Sequence, residues 1–359
     1  MADADINTYL MMMVEHDASD MILTAHMKPH IKVEGILRPA YAPPLTDGET
    51  NRLAFSIMSD AQRKTLTDSK ECNLALSVEG IGRFRVNLYY QRGEISIAIR
   101  RIKMTVPDLE HLGVPKQAEK LAMLKRGLVL ITGMAGSGKS TTLAAMIAHR
   151  AKHIGGHILT IEDPIEFILP HGRALVEQRE VGFDTNSFAD ALRNVLREAV
   201  DVIVIGEIRD LETAKQAIAY ADGGSLCLST MHSNNAHQAI ERILNFFPSE
   251  SHPQVLMDLS LNLRGVISQR LIPSKGKLVL ATEVMMQSAL LSDIILNGRI
   301  NELKDAMKKS TEEGMQIFDD SLFALYKAGL ITLEEAMENA DSQADLSVRI
   351  RLEGWHLPV

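Results

Sequence analysis

The most explicit chemistry in this chain sits in GMAGSGKS, from Gly133 to Ser140. The stretch satisfies the spacing GxxxxGK[ST], and each residue type has a physical reason. Gly133, Gly136 and Gly138, with Ala135 and Ser137 between them, let the backbone wrap closely and point successive N–H groups at phosphate oxygens. Lys139 carries a cation to the terminal phosphates, and Ser140 offers a hydroxyl ligand to Mg²⁺. Thr141 continues into a helix whose positive N-terminal end faces the same anion. The context such a loop needs is present: the apolar strand LVLITG before it and the helix STTLAAMIAHR after it. The expectation is a nucleoside triphosphate site with Mg²⁺.

A triphosphate site also needs carboxylates at the ends of neighbouring strands. DVIVIGE ends in Glu207 after an apolar run, and HILTIED ends in Glu162 and Asp163, with Glu166 nearby. One of Glu162 and Glu207 orients the attacking water and the other serves the metal shell; the residues leave the assignment open. Glu207 joins Ser140 as a candidate metal ligand. His232 ends LCLSTMH at the same strand-end level. Either it senses the γ-phosphate or it is a hydrogen-bonded strand-end group. Arg209, just after Glu207, either pairs locally with Asp210 or Glu212 or takes a catalytic part. Arg83, Arg85 and Arg100 fall on a strand pair far from the loop; they are either a solvated face or, set beside a phosphate, a transition-state clamp.

The elements that must position these groups read as two patterns. Up to about residue 103 the chain reads as a small α+β domain. It starts with a helix at Ile6–His16, passes through short strands including MILTA and IKVEG, and has a helical middle at Thr46–Thr67. RFRVNLYYQ and EISIAIRRI then form a hairpin about Arg92-Gly93-Glu94. In the first of them Phe84, Val86 and Leu88 alternate with Arg83, Arg85 and Asn87, giving one apolar and one polar face. KMTVPDLEHLGVP, with two prolines, reads as a linker over 104–116. From 117 to 287 apolar strands alternate with helices, including FADALRNVLREAV and LETAKQAIAYA. That pattern implies a mostly parallel sheet covered on both faces. Residues 288–359 read as a helical C-terminal region. The fold class is therefore α/β.

Composition narrows the function. The chain has 359 residues, is 46% hydrophobic, and carries a net charge of -8. That acidic balance gives no general attraction to nucleic acid or anionic lipid. No apolar run approaches the length of a membrane span, so membrane contact is expected to be peripheral. The N-terminus shows no signal-peptide pattern. Cys72 and Cys227, the two cysteines, are too few for a four-cysteine zinc module and read as reduced thiols of a cytoplasmic protein. Leu10–Val14, LMMMV, reads as core filling on a helix or as an interaction surface.

In order along the chain, ILTIEDPIEF, QREVGFDT, LREAVDVIVIGEIRDLET and STMHSNNAHQAIERILNFFP closely resemble the motifs of the secretion ATPases that retract type IV pili, the PilT/PilU branch. The resemblance runs from Ala18-Ser19-Asp20 through GRFRVN to GMQIFDDSLFALYKAGLI and ENADSQADL, nearly the whole chain. LCLSTMHSNNA, NFFP and ADSQADL are more similar to the accessory, PilU-like side. What it implies is a hexameric ring of subunits, each a PAS-like N-terminal domain and a RecA-like ATPase domain. ATP hydrolysis would drive pilus retraction at the cytoplasmic face of the inner membrane, with a PilT-like ATPase and a platform protein as partners. Gly133–Thr141 matches the Walker A loop, Glu162 the aspartate box, Glu207 the Walker B glutamate and His232 the histidine box. Arg83, Arg85 and Arg100 match N-domain arginines that reach the nucleotide at an interface.

The chain departs from that pattern at Val200, where a proline is usual, and at Gly223-Gly224-Ser225, where TGH is usual. The loop reads GMAGSGKS where PTGSGKS or ATGSGKS is usual. QSALLSD, Gln287–Asp293, stands where an AIR segment is found. None of these removes a phosphate or metal ligand. Two competing readings follow: a nucleotide-bound scaffold ring that hydrolyses little and couples to a stronger motor, and a nucleic-acid motor on the same kind of core. The acidic balance and the lack of an aromatic-basic groove speak against the second.

Overall fold

The computed structural model describes residues 4–33, 35–195, 198–310 and 314–353. The chain divides into two compact units, residues 1–105 with 166–168, and residues 106–165 with 169–359.

The first unit is built on an antiparallel sheet of β1 (Asp20–Leu23), β2 (His30–Val33), β3 (Ile36–Pro39), β4 (Glu71–Val78), β5 (Gly82–Gln91) and β6 (Glu94–Ile102), in the order β3-β2-β1-β6-β5-β4. The alternation along β5 decides its orientation: Phe84, Val86 and Leu88 are fully buried, while Arg83, Arg85 and Asn87 stay half-exposed. Each of those three burials is worth about 1.5–3 kcal/mol, so a one-residue slip of register would forfeit all of them. The N-terminal helix Ile6–Glu15 packs Leu10 and Met13 into the same core and leaves Met11 outside. LMMMV is therefore mostly core filling. The expected single helical middle is two helices, Glu49–Ser56 and Asp60–Ser69. Ser59 ends the continuity, because it caps the second helix in a reciprocal box with Gln62.

The second unit carries the site. Its sheet contains β7 (Gly127–Gly133), β8 (Gly156–Glu162), β9 (Ala174–Glu180), β10 (Val202–Ile205), β11 (Leu226–Met231), β12 (Leu263–Ser274) and β13 (Lys277–Met286), ordered β13-β12-β7-β11-β10-β8-β9. All neighbours are parallel except the β12–β13 hairpin. β7, β10 and β11 are buried along their whole length, as continuous apolar runs in a covered parallel sheet should be. The helices Lys139–His153, Leu211–Asp222 and Ala236–Phe246 follow β7, β10 and β11. The helix expected over FADALRNVLREAV is described as Phe188–Val195, and Leu196 and Arg197 lie outside the described residues.

Beyond residue 288 come the helices Ala289–Leu296, Leu303–Lys309, Phe318–Lys327, Leu333–Glu338 and Gln343–Leu352. Part of this region closes over β12 and β13 through a separate core of Ile272, Ala281, Phe318, Leu322 and Ile350. The terminal residues 354–359, most of RLEGWHLPV, lie outside the described residues.

Candidate functional site

The C-terminal edge of the large sheet sets the order of the functional groups. β7 ends in the phosphate loop, its neighbour β11 ends just before His232, the next strand β10 ends just before Glu207, and β8 beyond it ends in Glu162. Four segments far apart in the chain thus converge because parallel strands all finish on one side.

The loop is shaped for a close ligand. Gly133, Gly136 and Gly138 all have positive φ. A Cβ on Gly133 would come within 2.4 Å of Ser137 Oγ and 2.5 Å of the Gln269 carbonyl oxygen, so no side chain fits there. Gly138 is the N-cap of helix Lys139–His153. Ser140 and Thr141, in its first turn, are half-exposed.

Lys139 is 8% exposed. Its ammonium donates to the carbonyls of Gly133 and Met134, each at 2.9 Å, and lies 3.4 Å from His232 Nδ1. An ammonium has no lone pair, so Nδ1 is the acceptor. The ring proton then sits on Nε2, which is 3.3 Å from Glu207 Oε1. His232 thereby links the phosphate-loop lysine to the β10 carboxylate, with Glu207 and His232 both partly open to solvent.

Glu162 is held differently. Its Oε1 accepts Thr160 Oγ–H at 2.7 Å and Gln178 Nε2–H at 2.9 Å. Gly206, beside Glu207, packs so closely on β8 that a Cβ would stand 3.2 Å from the Cα of Glu162. That contact keeps the two carboxylate-bearing strand ends adjacent. Asp163 Oδ2 accepts from Arg209 at 3.2 Å. The local pairing expected of Arg209 with Asp210 or Glu212 is corrected accordingly. Asp210 instead caps helix Leu211–Asp222 through Thr213, which occupies its carboxylate with backbone N–H. Glu166 belongs to the first unit.

A cleft of about 250 Å³ runs along the loop between Gly133–Ser137 and the residues Asn234, Gln269 and Arg270. Two buried polar atoms here lack a hydrogen-bond partner, Ser137 Oγ and Gln269 Oε1. Unpartnered polar atoms in a buried wall cost free energy unless a ligand serves them. With the glycine cradle, Ser137 Oγ–H fits a loop built around a bound anion, whereas Gln269 Oε1 is an acceptor and calls for a donor. Gln269 carries no signal in the sequence, nor does Gln178. Gln269 pairs with Gly133 across the β12–β7 register and donates to Thr142 at 2.8 Å. Nothing in the local pattern SQRL marks it, because its role comes from strand order.

The arginines occupy the first unit. Arg85 and Arg100 stand opposite each other in the β5–β6 register. Arg100 Nε–H donates to Asp20 at 2.8 Å, and Arg83 Nε is buried without a hydrogen-bond partner. A cavity of about 610 Å³ opens on this face, with Lys32, Arg85 and Arg100 in its wall. Like charges directly across a strand pair repel, so this face is electrostatically suited to an anion.

Glycine cradle, buried lysine, strand-end carboxylates and a mostly parallel sheet together define a P-loop ATPase. The comparisons narrow this further. The model of the type II/IV secretion system protein family matches residues 2–314, and the chain belongs to that family. It is 49% identical to the type IV pilus ATPase PilU of Pseudomonas aeruginosa, over 96% of this chain and 90% of that protein. It is 40% identical to the type IV pilus retractation ATPase PilT of the same organism, over 94% and 98%. Among solved structures, the crystal structure of the pilus retraction motor PilT with bound ADP matches with a TM-score of 0.90 at 40% identity, over 96% of this chain and all of that one. Within the secretion ATPases the chain falls in the PilT/PilU branch.

Proposed function

We propose that this protein is an ATP-hydrolysing motor for type IV pilus retraction, working as a ring of six subunits and as a PilU-like accessory to a PilT-like ATPase. The observation that carries the reading is the Lys139–His232–Glu207 line on the sheet edge beside the phosphate loop. A γ-phosphate arriving at the loop competes with His232 and the loop carbonyls for the Lys139 ammonium. Losing Lys139 frees His232 Nδ1, so the histidine and Glu207 respond to whether the terminal phosphate is present.

ATP and Mg²⁺ fit the residues around the loop. N–H groups of Ala135–Thr141 take the phosphates, and Lys139 reaches the β- and γ-phosphates. Ser140 and Glu207 would hold Mg²⁺, which supplies charge neutralisation on the β- and γ-oxygens when bound. Glu207 suits the metal shell because it lies on the Lys139 side of the edge. Glu162, fixed at Oε1 by two donors, suits orienting the attacking water. Arg83, Arg85 and Arg100 act as a transition-state clamp, supported by the unpartnered Arg83 Nε and the anion-suited face.

On this reading residues 1–103 are a PAS-like domain, 104–116 a linker, 117–287 a RecA-like core and 288–359 a helical C-terminal region. The motor would work at the cytoplasmic face of the inner membrane against a platform protein. No helix among the described residues is long and apolar enough to cross a membrane. The 49% identity to PilU against 40% to PilT supports the accessory role over unaided retraction.

A pilus-retraction assay in a strain lacking this protein, with and without its PilT-like partner, tests the proposal. Retraction that is normal without it in every background, with force unchanged, would overturn it. A steady-state ATPase assay separates the motor from the scaffold reading: turnover indistinguishable from buffer favours the scaffold.

A further inference from the structure

Glu283 lies on β13 opposite Ser268, whose hydroxyl accepts Thr132 Oγ–H at 2.8 Å, one residue before Gly133. It is 3% exposed. Its Oε1 accepts the N–H of Ala236 at 2.8 Å. Ala236 is the first residue of helix Ala236–Phe246, whose N-cap Asn235 holds the Gln238 N–H at 3.0 Å. His232 therefore hangs between the end of β11 and a helix start that two side chains hold.

Charged groups on other elements, Arg270, Lys304 and Asp341, act on this carboxylate through space. Arg270 of β12 donates to Asp341 Oδ1 at 2.7 Å and to the Asn339 carbonyl at 2.9 Å. Lys304 donates to Asp341 Oδ2 at 3.0 Å, and Asp319, 4% exposed, accepts the Asp341 N–H at 2.8 Å. Burial works against ionisation of Asp341, but the hydrogen bonds and charges of Arg270 and Lys304 outweigh it and hold its carboxyl below the usual range. Burial pushes the Glu283 carboxyl up to about 7; the Ala236 N–H, Lys304 and Arg270 oppose that and Asp341 adds to it. A buried ionisable group whose neighbouring cations pair with Asp341 instead is costly to the fold, and such groups concentrate at functional sites.

We propose that Glu283 is a positioning residue of the ATPase site. It anchors the start of helix Ala236–Phe246 so that His232 stays between Lys139 and Glu207, and the Arg270–Asp341–Lys304–Asp319 cluster ties that anchor to the C-terminal helices. The proposal rests on the reading of His232 as the group that responds to the γ-phosphate. Displacing reacting groups by even about 1 Å costs up to about a hundredfold in rate, so the effect belongs to turnover rather than to nucleotide affinity.

The test uses the full chain, with steady-state ATP hydrolysis, thermal melting, and E283M, E283Q, A236P and H232A variants. E283M removes the acceptor, and kcat is expected to fall about tenfold or more, with KM for ATP within about twofold. E283Q keeps an oxygen acceptor for Ala236 and is expected to hold kcat within about threefold. If E283M shows no cooperative melt, A236P carries the test with the same expectation, because proline is tolerated at the first helical position yet deletes the same N–H. A folded E283M with wild-type kcat overturns the proposal, as does E283Q falling as far as E283M. Failure of both E283M and A236P to fold also overturns it, assigning Glu283 to core stability alone. H232A separates the two levels: wild-type kcat in H232A sinks the reading of His232, whereas slow H232A with normal E283M sinks only the role of Glu283.

Discussion

Replacing Glu283 by glutamine should change stability in a way that depends on pH. The carboxyl is raised from its ordinary 4.5 to about 7 because burial penalises its charged form. The folded state therefore favours the neutral acid more than the unfolded chain does. Below pH 4.5 both states are protonated and the group contributes nothing. Between 4.5 and about 7 the unfolded chain ionises first, and folding loses stability; above 7 the loss is complete. At about 1.36 kcal/mol per pH unit, the gap from 4.5 to about 7 amounts to at most about 3.4 kcal/mol. Relaxation around a charged Glu283 reduces it, to roughly 2–3 kcal/mol. The glutamine amide does not titrate, so the stability of E283Q relative to the parent should rise by roughly 2 kcal/mol between about pH 5 and about pH 8.5, the part of the change that lies above pH 5. Unfolding midpoints of both proteins, measured at the two pH values, give the difference with all shared titrations cancelled. At about 2–4 °C per kcal/mol for a domain of about 150–250 residues, the relative midpoint should move up by about 5 °C or more. A relative midpoint that stays constant, or falls at high pH, would refute the burial argument.

Other perturbations have equally definite outcomes. Lys139→Ala should abolish ATP turnover, by about a hundredfold or more; undiminished hydrolysis in a folded variant would remove the site. His232→Ala should lower kcat by about tenfold or more while a fluorescent ATP analogue binds within a few-fold of normal, and equal losses in both would assign it to binding instead. Gly133→Ala should destroy nucleotide binding, since its Cβ would meet Ser137 Oγ at 2.4 Å; calorimetric titration with ATP and Mg²⁺ gives the answer. Arg85→Ala and Arg100→Ala should bind ATP normally and hydrolyse it slowly, and normal rates in Arg83→Ala as well would exclude the clamp.

Much of the second unit's core is legible because its signals are local. A glycine loop, the apolar strand before it and the helix after it occupy one continuous segment, so Gly133–Thr141 needs no knowledge of distant contacts. The same holds for Glu162, Glu207 and His232, each marked by the apolar strand it follows. β4 and β9 are hidden because edge strands face solvent and carry polar residues: β9 alternates Leu175 and Glu177 outward against buried Ala174 and Val176. The β12–β13 hairpin is hidden because its turn, Lys275-Gly276, separates two strands that no alternation or motif sets apart from the helices around them.

Sequence by itself therefore determined the nucleotide loop, the strand-end acids and the division into α+β and α/β patterns, since period and motif act over a few residues. Only the tertiary structure decided which groups meet. Strand order put β11 between β7 and β10, and so placed His232 between Lys139 and Glu207. It also brought buried Glu283 and Asp319 together with the partly exposed Arg270, Lys304 and Asp341 from the β12–β13 hairpin and the C-terminal helical region. Arg209 turned from its chain neighbours to Asp163 because the carboxylate of Asp210 was already satisfied at the start of its own helix. Pairings of this kind depend on which elements pack side by side, and no spacing along the chain encodes that.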